Sequence, residues 1–417
     1  MQVRLSGELQ SADAAPLVLA HLSILATPAT ATGTIEATTT TTSKNEAKRC
    51  FPKDFLFGSA TASYQVEGAW DEGGRTRSIW DDFCRARPGL DCANVADDFY
   101  HRYRDDIKLM VASGLDSFRF SISWSRVMNW DPAAKKMKPN APGIAFYHDM
   151  LDELARSGLT PILTLYHWDL PSELHTQLQP QGWLNREIIG HYMDYAELVF
   201  AEFGAKVELW STFNEPISFV SSVTKCSSLS LGWERDVGVD QTRAPVGARL
   251  SSLNDLGQHN CVWFTGYAPG YLEFIKWAHK HDPSADILLT ENGWCGNDTI
   301  DNPDQLWYFQ TYLEQVYRAI TEFKIPVIGY TAWSFYDNYE WGSFKPRFGL
   351  YYVNFTAATG AQDETSGSDA AAPSSHSSFG IAAAVVAVVA VVPAVAWLVK
   401  RRQTGAPAET TPLVQRA

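Results

Sequence analysis

Six short apolar runs, each breaking off at a polar or charged residue, constrain the fold of this chain more than anything else in it. They are Phe55–Ser63, Ser117–Trp124, Thr160–Trp168, Val207–Thr212, Ile287–Thr290 and Val327–Trp333. Stretches of helical spacing lie between them, at Val95–Ser113, Tyr147–Ser157, Ile188–Phe203, Tyr271–His281 and Gln305–Phe323. Strand and helix in alternation predict a parallel sheet covered by helices. The polar residues gather just past the strand ends, as the C-terminal face of an α/β (β/α)8 TIM barrel requires.

Two of those strand ends carry a glutamate. In "LLTENGW" the run Ile287–Thr290 leads straight into Glu291, and in "LWSTFNEP" a similar run leads into Asn214, Glu215 and Pro216. A buried carboxylate is costly unless it is paired or used. Two carboxylates brought to one cleft by two strands of one barrel suit glycoside hydrolysis. One protonates the leaving oxygen, and the other attacks or stabilises an oxocarbenium-like centre. Their environments must then differ, so that one stays protonated and the other ionised.

Other strand ends fit the same purpose. Gln65 lies in "TASYQVEGAW", Arg119 in "FRFSISW", and His167 with Trp168 in "YHWDLP"; Trp333 lies in "YTAWSF", with Glu340 and Trp341 in "DNYEW". Sugars are held by hydrogen bonds to their hydroxyls and by aromatic rings stacked on their apolar faces, and these side chains supply both. Singly, each has an ordinary structural explanation, since tryptophans are mostly core and a lone histidine is mostly a satisfied structural group. Their joint occurrence at successive strand ends favours a carbohydrate site.

The chain of 417 residues, 45% hydrophobic and 13% aromatic, is long enough to bury a large core and excludes disorder throughout. Its formal charge of −13 without a basic stripe argues against nucleic acid as a partner. No Cys/His spacing suggests a metal, and no phosphate-cradling loop suggests a nucleotide, so no cofactor is expected. The six cysteines allow a Cys84–Cys92 disulfide or free buried thiols.

The two ends do not belong to the barrel. Residues 1–49 contain an apolar signal-like stretch, Ala14–Ala26, and a Thr- and Ala-rich spacer. The folded domain is expected over 50–357, followed by a Ser/Ala-rich stalk at 358–378. Phe379–Val399 is an uncharged apolar run long enough to span a bilayer, and Lys400, Arg401 and Arg402 follow at once. That positive flank predicts a single-pass type I membrane protein with residues 400–417 cytoplasmic and the barrel extracellular or lumenal. Sequons at Asn297 and Asn354 fit a glycoprotein on that route.

In order along the chain, the segment Phe51–Asp81, "FRFSISWSRV", "TLYHWDLP", "TFNEP", "TENGW" and "AWSFYDNYEWGSFKPRFGLYYVNF" resemble glycoside hydrolase family 1, the β-glucosidase and lactase-phlorizin hydrolase family. The resemblance covers roughly 50–216 and 267–357. It implies a retaining mechanism with Glu215 as general acid/base and Glu291 as nucleophile. Arg119 would keep the nucleophile ionised, and Asn214 would bond the sugar 2-hydroxyl. Gln65, His167, Glu340 and Trp341 would hold the other hydroxyls, with Trp168 beside them and Trp333 under the ring.

One interval departs from the family. Glu215 and Glu291 stand 76 residues apart, whereas the resemblance implies an interval more than twice as long. Residues 217–265 match neither of the two βα units expected there, and the tyrosine that would bond the nucleophile is missing. "EWGSFKPRFG" is also one residue short. About six of the eight units of a barrel are recognisable. A splice or gene-model product, a diverged segment that rebuilds the gap, and an inactive relative all remain open. Two functions follow. One is a membrane-anchored β-glycosidase releasing terminal glucose or galactose from a small-molecule or oligosaccharide β-glycoside. The other is a non-catalytic cell-surface binding protein on the same scaffold.

Overall fold

The computed structural model describes residues 50–216, 249–250, 261 and 264–355. The signal-like segment, the stalk, the 379–399 apolar run, the basic tail and most of 217–265 lie outside them. Among the described residues no helix is long and apolar enough to cross a membrane.

All six expected strands form. They are β1 (Leu56–Ala60), β2 (Ser117–Ser121), β3 (Thr160–Tyr166), β4 (Leu209–Phe213), β5 (Ile287–Asn292) and β6 (Val327–Trp333). They make one parallel sheet in the order β4-β3-β2-β1-β6-β5. That is the strand order of a (β/α)8 barrel, opened between β4 and β5. Among the described residues the barrel is therefore incomplete, and the two edge strands of their sheet are the ones that lead into the two glutamates. Among the described residues two short antiparallel ribbons accompany it: Met128–Asp131 with Lys136–Pro139, and Arg249–Leu250 with Thr265–Gly266.

Five long helices of the described residues cover the sheet: α1 (Phe99–Ala112), α2 (Ala141–Arg156), α3 (Ile188–Phe203), α4 (Ala268–His281) and α5 (Pro303–Thr321). Their apolar faces meet a core that includes Ile107, Met110, Tyr147, Leu154, Val199, Ile275 and Val316, all essentially inaccessible. α1 and α2 end alike, in Ser-Gly-Leu. Gly114 and Gly158 take φ of 79° and 74°. The following leucine amides reach back to Met110 O and Leu154 O at 3.2 and 3.0 Å. This left-handed cap turns the chain sharply from helix into the next strand.

Two helix boundaries differ from expectation. α1 begins at Phe99 rather than Val95, because Asp98 adopts a left-handed φ of 57° that no helix interior allows. α2 begins at Ala141 rather than Tyr147. "APG" has the look of a loop, but proline is accepted in a first turn, where its missing N–H is not needed.

Candidate active site

The strand ends bring nearly all the expected residues together. Arg119, on the wholly buried strand β2, is 1% exposed, and its Nη1 donates to Glu291 Oε1 at the end of β5. Its Nη2 donates to Asn214 Oδ1 at 3.0 Å. One guanidinium thus joins the strand ends of β4 and β5 across the open side of the barrel. The Glu291 side chain is 15% exposed, so the carboxylate faces the cleft while its counter-ion does not.

The hydrogen-bond roles follow by elimination. Asn214 Oδ1 accepts from Arg119, so its Nδ2 is the donor to His167 Nε2 at 3.0 Å. Burial, with the Arg119 charge nearby, holds the His167 pKa well below its ordinary value, so the ring is neutral. Its single proton then sits on Nδ1. That atom is buried and has no hydrogen-bond partner among the described residues. Gln65 repeats the pattern. Its Nε2 donates to Asn338 Oδ1 and to Tyr339 O, both at 2.9 Å, which leaves Oε1 a buried acceptor without a partner among the described residues. Arg119 Nε is a third such atom. Buried polar atoms are normally satisfied; two of these three belong to Arg119 and His167, which lie beside Glu291, and the third to Gln65, which neighbours Glu340.

Glu340 is the third acid of the cleft. Its Oε1 accepts from Trp333 Nε1 at 3.1 Å. Burial raises its pKa to about 8, and the charges of Glu291 and Glu215 push the same way against the Trp333 hydrogen bond. The charges of both glutamates thus act on Glu340. At neutral pH Glu340 keeps its proton and is itself a donor. The aromatic wall is continuous. The His167 ring stacks between Trp333 and Trp341 at 5.8 and 6.0 Å, and Trp168 packs on Trp341 at 4.8 Å while donating from Nε1 to Asn214 O at 3.0 Å.

Three of these residues have unusual backbones. Trp168, Glu215 and Trp341 take φ of 72°, 38° and 49°. For residues with a Cβ that conformation is strained, and such strain concentrates at functional sites. The Trp333–Ser334 peptide bond is cis.

Some neighbours escaped the sequence reading. Asn338 and Tyr339 hold Gln65, and Trp80 packs on Trp341 at 4.7 Å and donates to Trp168 O at 3.2 Å. Asn338 and Tyr339 lie in the "DNYEW" motif that pointed to Glu340, so the signal was at hand. Trp80 had none. A disulfide joins Cys84 to Cys92, and a second, between Cys261 and Cys295, ties the loop after Glu291 to the chain before β5. Cys50 is free and exposed. Of the two sequon asparagines, Asn354 is exposed; Asn297 is half-buried with its Oδ1 enclosed.

The sequence profile of Glycosyl hydrolase family 1 matches residues 47–237 and 239–367. Among curated proteins, β-glucosidase 23 of Arabidopsis thaliana is 43% identical over 494 aligned positions, which cover 82% of this chain and 93% of that protein. β-Glucosidase 31 of the same plant is 44% identical over 459 positions, covering 73% and 85%. Among solved structures, a rice β-glucosidase superposes with a TM-score of 0.61 at 25% identity, over 73% of this chain and 94% of that one. The first of these alignments is longer than the 417 residues available here, so it opens gaps within this chain.

Proposed function

The chain belongs to glycosyl hydrolase family 1, the O-glycosyl hydrolase class of its β-glucosidase relatives, and from that premise we propose that it is a retaining β-glycosidase acting on terminal β-linked glucose or galactose. In the first step the Glu291 carboxylate attacks the anomeric carbon while Glu215 protonates the departing glycosidic oxygen. That breaks the C–O bond and leaves the sugar as an ester of Glu291. In the second, Glu215 takes a proton from water, whose oxygen attacks the same carbon and releases Glu291. Two inversions give net retention.

The observation that carries this reading is the Arg119–Glu291 ion pair beside unpaired His167 Nδ1 and Gln65 Oε1. The guanidinium pairs with the Glu291 carboxylate and fixes its position at the end of β5. His167 Nδ1–H, Gln65 Oε1 and protonated Glu340 offer a donor, an acceptor and a further donor to sugar hydroxyls. Trp333 supplies the stacking face. Asn214, held by Arg119 and His167, is placed to bond the 2-hydroxyl.

The open interval supports a second reading, a catalytically impaired binding protein. Six parallel strands with edges at β4 and β5 among the described residues, a 76-residue interval between the glutamates and a gapped alignment all favour two βα units having been lost between Glu215 and Glu291. The apolar run 379–399 with its basic flank favours a type I anchor that places the barrel outside the cytoplasm. Hydrolysis of aryl β-glucoside and β-galactoside by the full chain in detergent decides between the two readings. Turnover that is lost in Glu291→Gln supports the hydrolase. Sugar binding without turnover supports the binding protein.

A further inference from the structure

Asp169 is one of the most deeply buried carboxylates in the molecule, 1% exposed, and the chemistry above makes no use of it. Among the described residues it makes no ion pair closer than 4 Å, and its Oδ1 has no hydrogen-bond partner. Burial pushes its pKa up to about 7, against the pull of a hydrogen bond from Ser63; Arg75 is the cation that favours its charge, and Glu67 opposes it. Such a group is costly to keep in a core.

What it does is end a chain of donors. Ser63 N donates to Ser121 Oγ at 2.8 Å, Ser121 Oγ donates to Ser63 Oγ at 3.0 Å, and Ser63 Oγ donates to Asp169 Oδ2 at 2.9 Å. All three residues are buried, and they come from three strand ends: Ser63 follows β1, Ser121 closes β2 and Asp169 follows β3. Each stands two residues from a side chain of the cleft. Ser63 precedes Gln65, Ser121 follows Arg119 on the same face of β2, and Asp169 follows His167.

We propose that Asp169 is a positioning residue for the sugar side of the cleft, its carboxylate drawing Ser63 and Ser121 inward so that Gln65, Arg119 and His167 keep their mutual spacing. The proposal rests on the glycosidase reading for the identity of the ligand. A hydroxyl pointed at a carboxylate or an amide oxygen is held in one rotamer, whereas the same hydroxyl facing a hydrocarbon is free to leave. The clamp therefore needs an acceptor at position 169 and not a charge.

The test uses the full chain with glucose as the probe. Glucose affinity is measured by calorimetry, kcat and KM with an aryl β-glucoside, and folding by thermal melting, for wild type, Asp169→Leu, Asp169→Asn and Ser63→Ala. Loss of the acceptor, or of the hydroxyl it orients, should weaken glucose binding and raise KM by about tenfold, with a smaller change in kcat. Asp169→Asn should restore both, because an amide oxygen accepts from Ser63 as the carboxylate does. A folded Asp169→Leu that binds glucose as wild type does overturns the clamp, and so does an Asn variant as weak as the Leu variant. Should Asp169→Leu fail to fold, Ser63→Ala, which removes one oxygen, carries the comparison, and wild-type affinity there overturns the proposal. Wild type that binds glucose without hydrolysing it defeats the hydrolase reading alone and leaves the clamp to be judged on affinity. Wild type that binds no glucose overturns both.

Discussion

The half of the cleft built on β1, β2, β3 and β6 and the half built on β4 and β5 are held in different ways. Each strand of the first group is paired on both sides, and its ends are cross-linked again by buried side chains: Ser63, Ser121 and Asp169 join β1, β2 and β3, and Gln65 joins β1 to the loop after β6. Each strand of the second group is paired on one side only among the described residues. Sugar-holding side chains stand mainly on the first half, while both proposed catalytic glutamates stand on the second. The Arg119 fork hydrogen-bonds both Asn214 and Glu291, and His167 Nε2 also lies near both, at 3.0 Å from Asn214 Nδ2 and 3.9 Å from Glu291 Oε1, so these two side chains of the first half reach both edge strands. Binding and chemistry are thus mounted on parts of unequal support.

Losing the nucleophile should have the largest effect. Glu291→Gln keeps the shape of the side chain and removes the charge, and kcat for an aryl β-glucoside is expected to fall about 10^4-fold with glucose affinity nearly unchanged. A variant that retains wild-type turnover would show that the edge half does no chemistry. Glu215→Gln should cost about 10^2- to 10^3-fold in kcat on an alkyl glucoside. It should cost much less in the first step on a dinitrophenyl glucoside, whose leaving group departs without a proton. An equal loss on both substrates would remove Glu215 from the acid role.

How much of this was legible in the sequence follows the same division. The six strands were visible because their apolar runs are short and end abruptly, and β6 and α3 fall on the expected residues. What the sequence hides is direction. Nothing in "YHWDLP" says that His167 carries its proton on Nδ1, since that follows from the way Arg119 turns the Asn214 amide. Asp169 is in the same motif, and the serine that donates to it, Ser63, is 106 positions away in sequence, brought near by parallel pairing of the strands. The Cys261–Cys295 disulfide was missed for a similar reason, because spacing does not say which sulfurs meet.

That disulfide gives a means of weakening the edge half without touching an acid. It closes a span of 34 residues and anchors the loop four residues beyond Glu291. Cys261→Ser with Cys295→Ser should lower unfolding stability in denaturant by about 3–4 kcal/mol if the chain-entropy account applies. If the edge half is held as loosely as its pairing suggests, kcat should fall more than glucose affinity does. Equal losses in both would mean that the two halves move as one body.

Glu340 sharpens the comparison from the binding half, with a smaller effect of known sign. Its pKa of about 8 lies above the ordinary 4.5, chiefly through burial and next through the charges of Glu291 and Glu215. A group raised in the folded state contributes its full stability below the unfolded value and loses it as pH climbs through the folded one. Wild type should therefore lose melting temperature between about pH 4.5 and pH 8 relative to Glu340→Gln, which cannot ionise. The two proteins should melt together near pH 4, and the variant should melt a few degrees higher near pH 9. Repeating the scan in Glu291→Gln removes one of the charges that raise Glu340, so the Glu340 transition should move to lower pH. An unmoved transition would mean that the two acids do not share a cleft, and the barrel's edge half would then have to be placed further from its binding half than the Trp333–Glu340 and Arg119–Glu291 contacts allow.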